Sequence, residues 1–135
     1  MIQVYMSLNG NTEEAIAYYA QAFNGEVGNV MKFSDLPSED KINMPPGSEK
    51  LILFAEVKTF AGVMMMSDMM PGTQVIPNES VWISVSSLEE ARIREAFGNL
   101  AKDGEIIMPF EKTFFSPLYG QVKDKFGFYW MLMVE

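Results

Sequence analysis

The sequence predicts an α+β fold in which one strand–helix–strand–strand–strand unit is written twice. Two observations carry this expectation. Apolar and polar residues alternate over 3–8 and again over 80–86, the period of a strand with one apolar face. Each alternating run is followed by turn residues, a helical stripe and three further strand-like segments in the same order, and an internal repeat of fixed order is a strong organisational signal. Tyr5-Met6-Ser7-Leu8 overlays Trp82-Ile83-Ser84-Val85, and Glu13-Glu14-Ala15 overlays Glu89-Glu90-Ala91. Gly25-Glu26-Val27 overlays Gly104-Glu105-Ile106, and Gly62 overlays Gly127. The 135 residues suit a single domain, 1–135, built of a first module over 1–72 and a second over 79–135. The helix of each half covers one face of its four strands. The other face needs a partner, and the sister half is the obvious one.

The elements follow in order. In Gln3–Leu8 the helix-packing set is Val4, Met6 and Leu8, and Gln3, Tyr5 and Ser7 share the opposite face. Asn9-Gly10-Asn11 is turn chemistry, with Asn11 placed to cap a helix. Ala15, Ile16, Tyr19, Ala22 and Phe23 form that helix's buried stripe. Asn24-Gly25 ends it, the glycine expected in the left-handed conformation. Glu26–Phe33, Leu51–Val57 and Gly62–Asp68 read as strands, and Asp35–Lys50, with three prolines, as a long mobile loop. A linker spans Gly72–Glu79. Ser80–Ser86 opens the second half, and Ser87-Leu88-Glu89-Glu90 reads as a capping box. Leu88, Ala91, Phe97, Leu100 and Ala101 supply the stripe, and Asp103-Gly104 the stop. Glu105–Phe110, a segment over Thr113–Val122, and Phe128–Val134 complete the repeat.

Composition excludes much chemistry. The chain has no cysteine and no histidine, which removes disulfides, thiolate sites, Ser-His-Asp catalysis and imidazole metal ligands. Its net charge of −8 repels phosphate backbones and anionic lipid, so neither nucleic acid nor membrane is an expected partner. The opening residues lack the charged and apolar regions of a signal peptide. No apolar run nears the ~20 residues that span a bilayer. A soluble, cytoplasmic protein is the expectation.

Several segments carry a resemblance. They are Leu8-Asn9-Gly10-Asn11-Thr12-Glu13-Glu14-Ala15 with Tyr18-Tyr19, then Ser67-Asp68, Met108-Pro109, and Tyr119 through Trp130 with its Asp124-Lys125-Phe126-Gly127 core. With the two βαβββ modules, they make the chain resemble the vicinal oxygen chelate superfamily, which includes glyoxalase I, extradiol dioxygenases and bleomycin-resistance proteins. Within it the chain looks most like the PhnB-like group. The resemblance implies tandem βαβββ modules forming an incomplete barrel around a cleft, and a homodimer. Some members of the group carry a name implying ubiquinone methyl transfer, yet the sequence shows no strand–Gly-rich-loop–helix unit of the Rossmann type. The superfamily's metal enzymes place ligands on the first and fourth strands of each module. Carried over, those positions fall on Gln3, Met66, Ser80 and Met131. An amide, a hydroxyl and two thioethers do not hold a hard divalent ion, so neither metal nor cofactor is expected.

Other residues join these as candidates for the cleft. Tyr5 and Trp82 occupy matching positions and would wall a flat or cationic ligand, or else pack the halves together. Phe115 and Tyr119 would rim the cleft or a dimer interface. Glu56 is a weak candidate for a general base. Asp68 and Asp124 sit in turns, where backbone capping is their expected work, and Trp130 falls on the core parity. Three functions stay open: metal-independent binding of a small aromatic or cationic molecule, a divergent metal-independent lyase or isomerase, and a structural dimer with a filled cleft.

Overall fold

The computed structural model describes residues 1–41 and 43–135. Eight strands and three helices follow in the order β1 (Val4–Leu8), α1 (Thr12–Ala22), β2 (Glu26–Lys32), α2 (Ser38–Lys41), β3 (Ile52–Thr59), β4 (Gly62–Asp68), β5 (Ile83–Ser87), α3 (Glu90–Lys102), β6 (Glu105–Glu111), β7 (Leu118–Lys123) and β8 (Tyr129–Val134). They form two four-stranded sheets, ordered β1-β4-β3-β2 and β5-β8-β7-β6. In each sheet the first pair is parallel and the other two are antiparallel. The expected α+β fold of two βαβββ units is therefore present. The chain divides into two compact units, Met1–Ala20 with Gly25–Val75, and Gln21–Asn24 with Ile76–Glu135.

Unit 1 sorts its sheet residues by alternation. Met6, Leu8, Ala55, Val57, Met64 and Met66 are buried on one face. Tyr5, Ser7, Glu56, Met65 and Ser67 are half-buried or exposed on the other. The α1 stripe is buried as expected, at Ala15, Ile16, Tyr19, Ala22 and Phe23. The corner of the unit is tied by Asp68. Its carboxylate accepts the Thr12 amide at 3.0 Å and the Ile52 amide at 2.8 Å, joining the start of α1, the start of β3 and the end of β4. An anion at a helix N-terminus also meets the positive end of the helix dipole.

In unit 2, α3 packs against all four strands. Its buried stripe is Ile93, Ala96, Phe97 and Leu100, facing Val122, Trp130, Leu132 and Val134. Phe97 stacks on Phe110 with ring centroids 5.0 Å apart. Asp124 accepts the amides of Phe126 and Phe128 through one oxygen, and the Trp130 indole N–H through the other at 2.8 Å. The expected capping work of both aspartates is what the structure shows, with Trp130 in the core.

Several expectations need correction. The stripe of α3 is not begun by Leu88 and Ala91, which are exposed. The helix starts only at Glu90, because Ser87 remains in β5 and its hydroxyl accepts the Glu89 amide in a local turn. The segment 35–50 holds more structure than a loop: it leaves a 3-10 turn at Phe33–Asp35, contains the single turn of α2, and buries Ser48, whose hydroxyl donates to the Pro45 carbonyl. Residue 42, within that segment, lies outside the described residues. Thr113–Ser116 is a closed turn and not strand, pinned by Ser116 Oγ on the Val134 carbonyl.

The helix-ending glycines act differently from the expectation. The left-handed residue is Asn24, at φ 48°, and Gly25 and Gly104 have no positive φ. Each is glycine because backbone passes where a Cβ would stand: the Lys58 carbonyl at Gly25, and the Lys123 and Leu100 carbonyls at Gly104. Gly25→Ala and Gly104→Ala should each cost about 1–3 kcal/mol, since backbone cannot swing aside as a flexible side chain can. Gly98, exposed in α3 with open space around it, provides the control. Gly98→Ala should gain about 0.5–1 kcal/mol. Thermal melts of the three variants check this, and equal midpoints for the first two and the parent would show that the close approaches yield freely.

Candidate functional site

The face of the unit 2 sheet turned away from α3 gathers aromatic and polar side chains in rows. Register sets the rows, because neighbouring strands place directly paired residues on the same face. Lys123 pairs with Tyr129, Gln121 with Met131, and Tyr119 with Met133. On the far side of β8, Ser84 pairs with Met131. Trp82 precedes β5 by one residue, which brings it beside Tyr129.

In the first row the Trp82 and Tyr129 rings lie 5.1 Å apart at 58°, and the Lys123 ammonium sits 5.6 Å from the Tyr129 centroid. Trp82 is held from below by its indole N–H, which donates to the Glu79 carbonyl at 2.8 Å. The Tyr129 hydroxyl engages the Glu79 carboxylate, and that hydrogen bond, with burial second, raises the phenol's pKa above its ordinary value against the opposing pull of Lys123. In the next rows the Gln121 amide donates to the Tyr119 hydroxyl at 2.9 Å. That hydroxyl leans on the Met131 sulfur at 3.9 Å. Phe115 packs edge-on against Tyr119 at 4.9 Å between centroids, and Phe114, fully exposed, packs against Phe115. The Thr113–Ser116 turn sets both phenylalanines.

The corresponding face of unit 1 is simpler. The Tyr5 hydroxyl donates to Ser67 Oγ at 2.8 Å. Met65 lies between Tyr5 and Glu56 in one row. Glu56 lies over Gly28, where a Cβ would come within 2.5 Å of its carboxylate oxygen, and accepts the Asn29 amide at 3.1 Å. Its carboxylate thus closes the irregularity in β2 between Val27 and Val30, which is anchoring work and not that of a free base.

The candidates from sequence are distributed as follows. Trp82, Tyr119, Phe115 and Met131 come together on the open face of unit 2. Tyr5 stands 50% exposed on the open face of unit 1, and Gln3 precedes the same strand, exposed. Ser80 lies in a turn before β5, exposed, its amide bound to the Asn78 side chain. Met66 is misplaced by the sequence reading. It is 0% exposed and pairs with buried Met6 and Ala55, so the thioether on the open side is Met65. The sequence reading missed Tyr129, Lys123 and Gln121. Their two-residue spacing from Met131 and Tyr119 was the available signal.

Comparison with known proteins places these features in a family. The signature of the family described as 3-demethylubiquinone-9 3-methyltransferase matches residues 1–133. Protein YjdN of Escherichia coli K12 is 33% identical, over 96% of this chain and 92% of its own. Among solved structures, protein PA1353 of Pseudomonas aeruginosa is 28% identical with a TM-score of 0.83, covering 100% of this chain and 98% of its own. A Bacillus cereus protein described as a 3-demethylubiquinone-9 3-methyltransferase, PhnB protein, is 25% identical with a TM-score of 0.70, covering 99% and 98%. A glyoxylase/bleomycin resistance protein/dioxygenase domain of Frankia, 12% identical with a TM-score of 0.68 over 99% and 95%, shares the fold.

Two groups implied by these likenesses can be tested against the residues present. For a divalent metal, the positions carried over offer an amide at Gln3, a hydroxyl at Ser80 and thioethers at Met131 and Met65 or Met66. Among the described residues no three acidic side chains gather where they could hold an ion. This donor set does not fit a hard cation. For a nucleoside methyl donor, each sheet has only one parallel pair, unlike the parallel sheets whose strand ends cradle such cofactors. The start of α1 is already engaged by Asp68. Neither group fits. Elemental analysis of protein dialysed against Zn²⁺, Ni²⁺, Fe²⁺ or Mn²⁺ should find well under one ion per chain. One tightly held ion, removable only by a chelator, would contradict the donor-set argument.

Proposed function

Because the chain belongs to the PhnB-like family described as 3-demethylubiquinone-9 3-methyltransferase, with the glyoxalase/bleomycin resistance/dioxygenase fold, we propose that it binds a small planar aromatic molecule without a metal. The observation that carries this is the Trp82–Tyr129 ring pair with Lys123 at its edge. Small-molecule sites combine apolar and aromatic walls with a few convergent polar atoms. The unit 2 face supplies Trp82, Tyr129, Met131 and Phe115 as walls, and Gln121 and Lys123 as polar groups, with Tyr119, only 8% exposed, holding the Gln121 amide from beneath. Met131 is flexible and polarizable, which suits a surface that must adapt to a ring. Lys123 already takes the cation's place over the Tyr129 ring, and this favours an aromatic ligand over a cationic one. The remaining polar positions, Gln3, Ser80 and Tyr5, are secondary in this reading, and Glu56 is not assigned a catalytic part.

Self-association is part of the proposal. The edge strands β2 and β6 expose Val27, Val30 and Met31, and Ile106, Ile107 and Met108, each by 40% or more. Apolar surface of this kind on an acidic chain favours burial against a second copy. Native mass spectrometry should show a dimer, and a monomer at every concentration would remove this part.

Fluorescence tests the ligand. Trp82 is half-buried whereas Trp130 is 1% exposed and bound to Asp124, so a ligand on the open face should quench one indole and spare the other. A panel of planar aromatic acids and neutral aromatics should include compounds that quench saturably. Trp82→Phe should abolish the quench with an unchanged melting temperature. Quenching that survives in Trp82→Phe, or a panel without a saturable quencher, would overturn the reading.

A further inference from the structure

The sequence contains two Asn-Gly pairs, Asn9-Gly10 and Asn24-Gly25, and their surroundings differ. In such a pair the glycine nitrogen can attack the asparagine side-chain carbonyl carbon, because glycine has no Cβ to obstruct the approach. The C–N bond to the side-chain amide breaks and ammonia leaves, giving a five-membered imide. Water then opens the ring to aspartate or isoaspartate, so the net reaction is asparagine plus water giving the acid plus ammonia.

At Asn24 the nucleophile is engaged. The Gly25 N–H donates to the Ala20 carbonyl at 2.8 Å, closing the end of α1, and the surrounding carbonyl of Lys58 leaves the glycine no room to turn. At Asn9 the restraint falls on the other reactant. The Asn9 side chain forms both halves of a clamp on Val75: Nδ2 donates to the Val75 carbonyl at 2.8 Å, and Oδ1 accepts the Val75 amide at 2.9 Å. Both groups are at the surface of unit 1, and Val75 stands in the stretch 73–78 that follows β4 and belongs to no helix or strand. Such stretches open far more readily than a sheet core, and each opening frees the Asn9 amide.

We propose that Asn9 is a site of spontaneous deamidation, gated by its clamp on Val75, and that its conversion releases the 73–78 segment. Aspartate at this position keeps an acceptor for the Val75 amide but loses the donor. Its second oxygen then faces the Val75 carbonyl, two like partial charges with no proton between them. Protonation of the new carboxyl restores a donor and with it the clamp.

Peptide mapping by mass spectrometry of protein aged in mildly alkaline buffer tests the site. Asn9 should convert several-fold faster than Asn24. Val75→Pro, which removes the amide donor, should speed Asn9 conversion several-fold further and leave Asn24 unchanged. Equal rates at the two asparagines, or an Asn9 rate unmoved by Val75→Pro, would overturn the gating. Asn9→Asp tests the consequence independently of that variant. Compared with the parent at the same pH, its amide hydrogen exchange over 73–78 should be several-fold faster at neutral pH. The difference should shrink as pH falls through the carboxyl range near ~4. Identical exchange in parent and variant at neutral pH would overturn the release.

Discussion

Two buried carboxylates, one in each unit, tie the corners from which the sheet faces are sorted. Asp68 binds the first amide of α1 and the first amide of β3. Asp124 binds two turn amides and the Trp130 indole. A buried carboxylate is costly unless its oxygens are met by donors, and here each oxygen is met. Trp130, once tied to Asp124, is committed to the α3 side of β8. Alternation then sends Tyr129 and Met131 to the open side. The aromatic face of unit 2 is thus a consequence of a hydrogen bond made on the opposite face.

The two units reach the same topology with different means. In both, the residue just before the second strand is a glycine pressed against the carbonyl of a lysine, Lys58 in one and Lys123 in the other. Their tying aspartates, however, stand at different corners, one at the end of β4 and one just beyond β7. The open faces differ accordingly. Unit 1 presents a tyrosine, a methionine and a carboxylate already spent on the backbone. Unit 2 presents paired rings, an ammonium and an amide. The two sheets share one strand order but carry different chemistry on their open faces, and the proposed ligand belongs to the face with the paired rings.

Much of this was legible in the sequence. The α1 stripe, the bounds of β4, the doubled βαβββ order and the inward place of Trp130 all follow from periodicity. The clearest failure is Met66, and its cause is register. Placing it by analogy with Met131 assumed that Gly62 and Gly127 start their strands in step. In the structure Met6 pairs with Met66, whereas Ser84 pairs with Met131, a one-residue difference, and one residue reverses the face of every side chain on a strand. Leu88 failed for a related reason, since β5 runs on through Ser87 and delays the helix. The close approaches at Gly25 and Gly104 are invisible in one dimension, because the opposing carbonyls come from residues far along the chain. Tyr129 and Lys123 were in view as alternating residues, but only strand pairing shows that they share an edge with Trp82.

The two indoles should meet opposite fates when a ligand binds. Nitrogen-edited proton NMR resolves their N–H groups separately, one bound to the Asp124 carboxylate and one to the Glu79 carbonyl. Titration with a planar aromatic ligand should shift the Trp82 indole signal saturably, together with the Lys123 and Tyr129 resonances, and leave the Trp130 indole in place. A Trp130 signal that moves with ligand while Trp82 stays fixed would contradict the assignment of the open face.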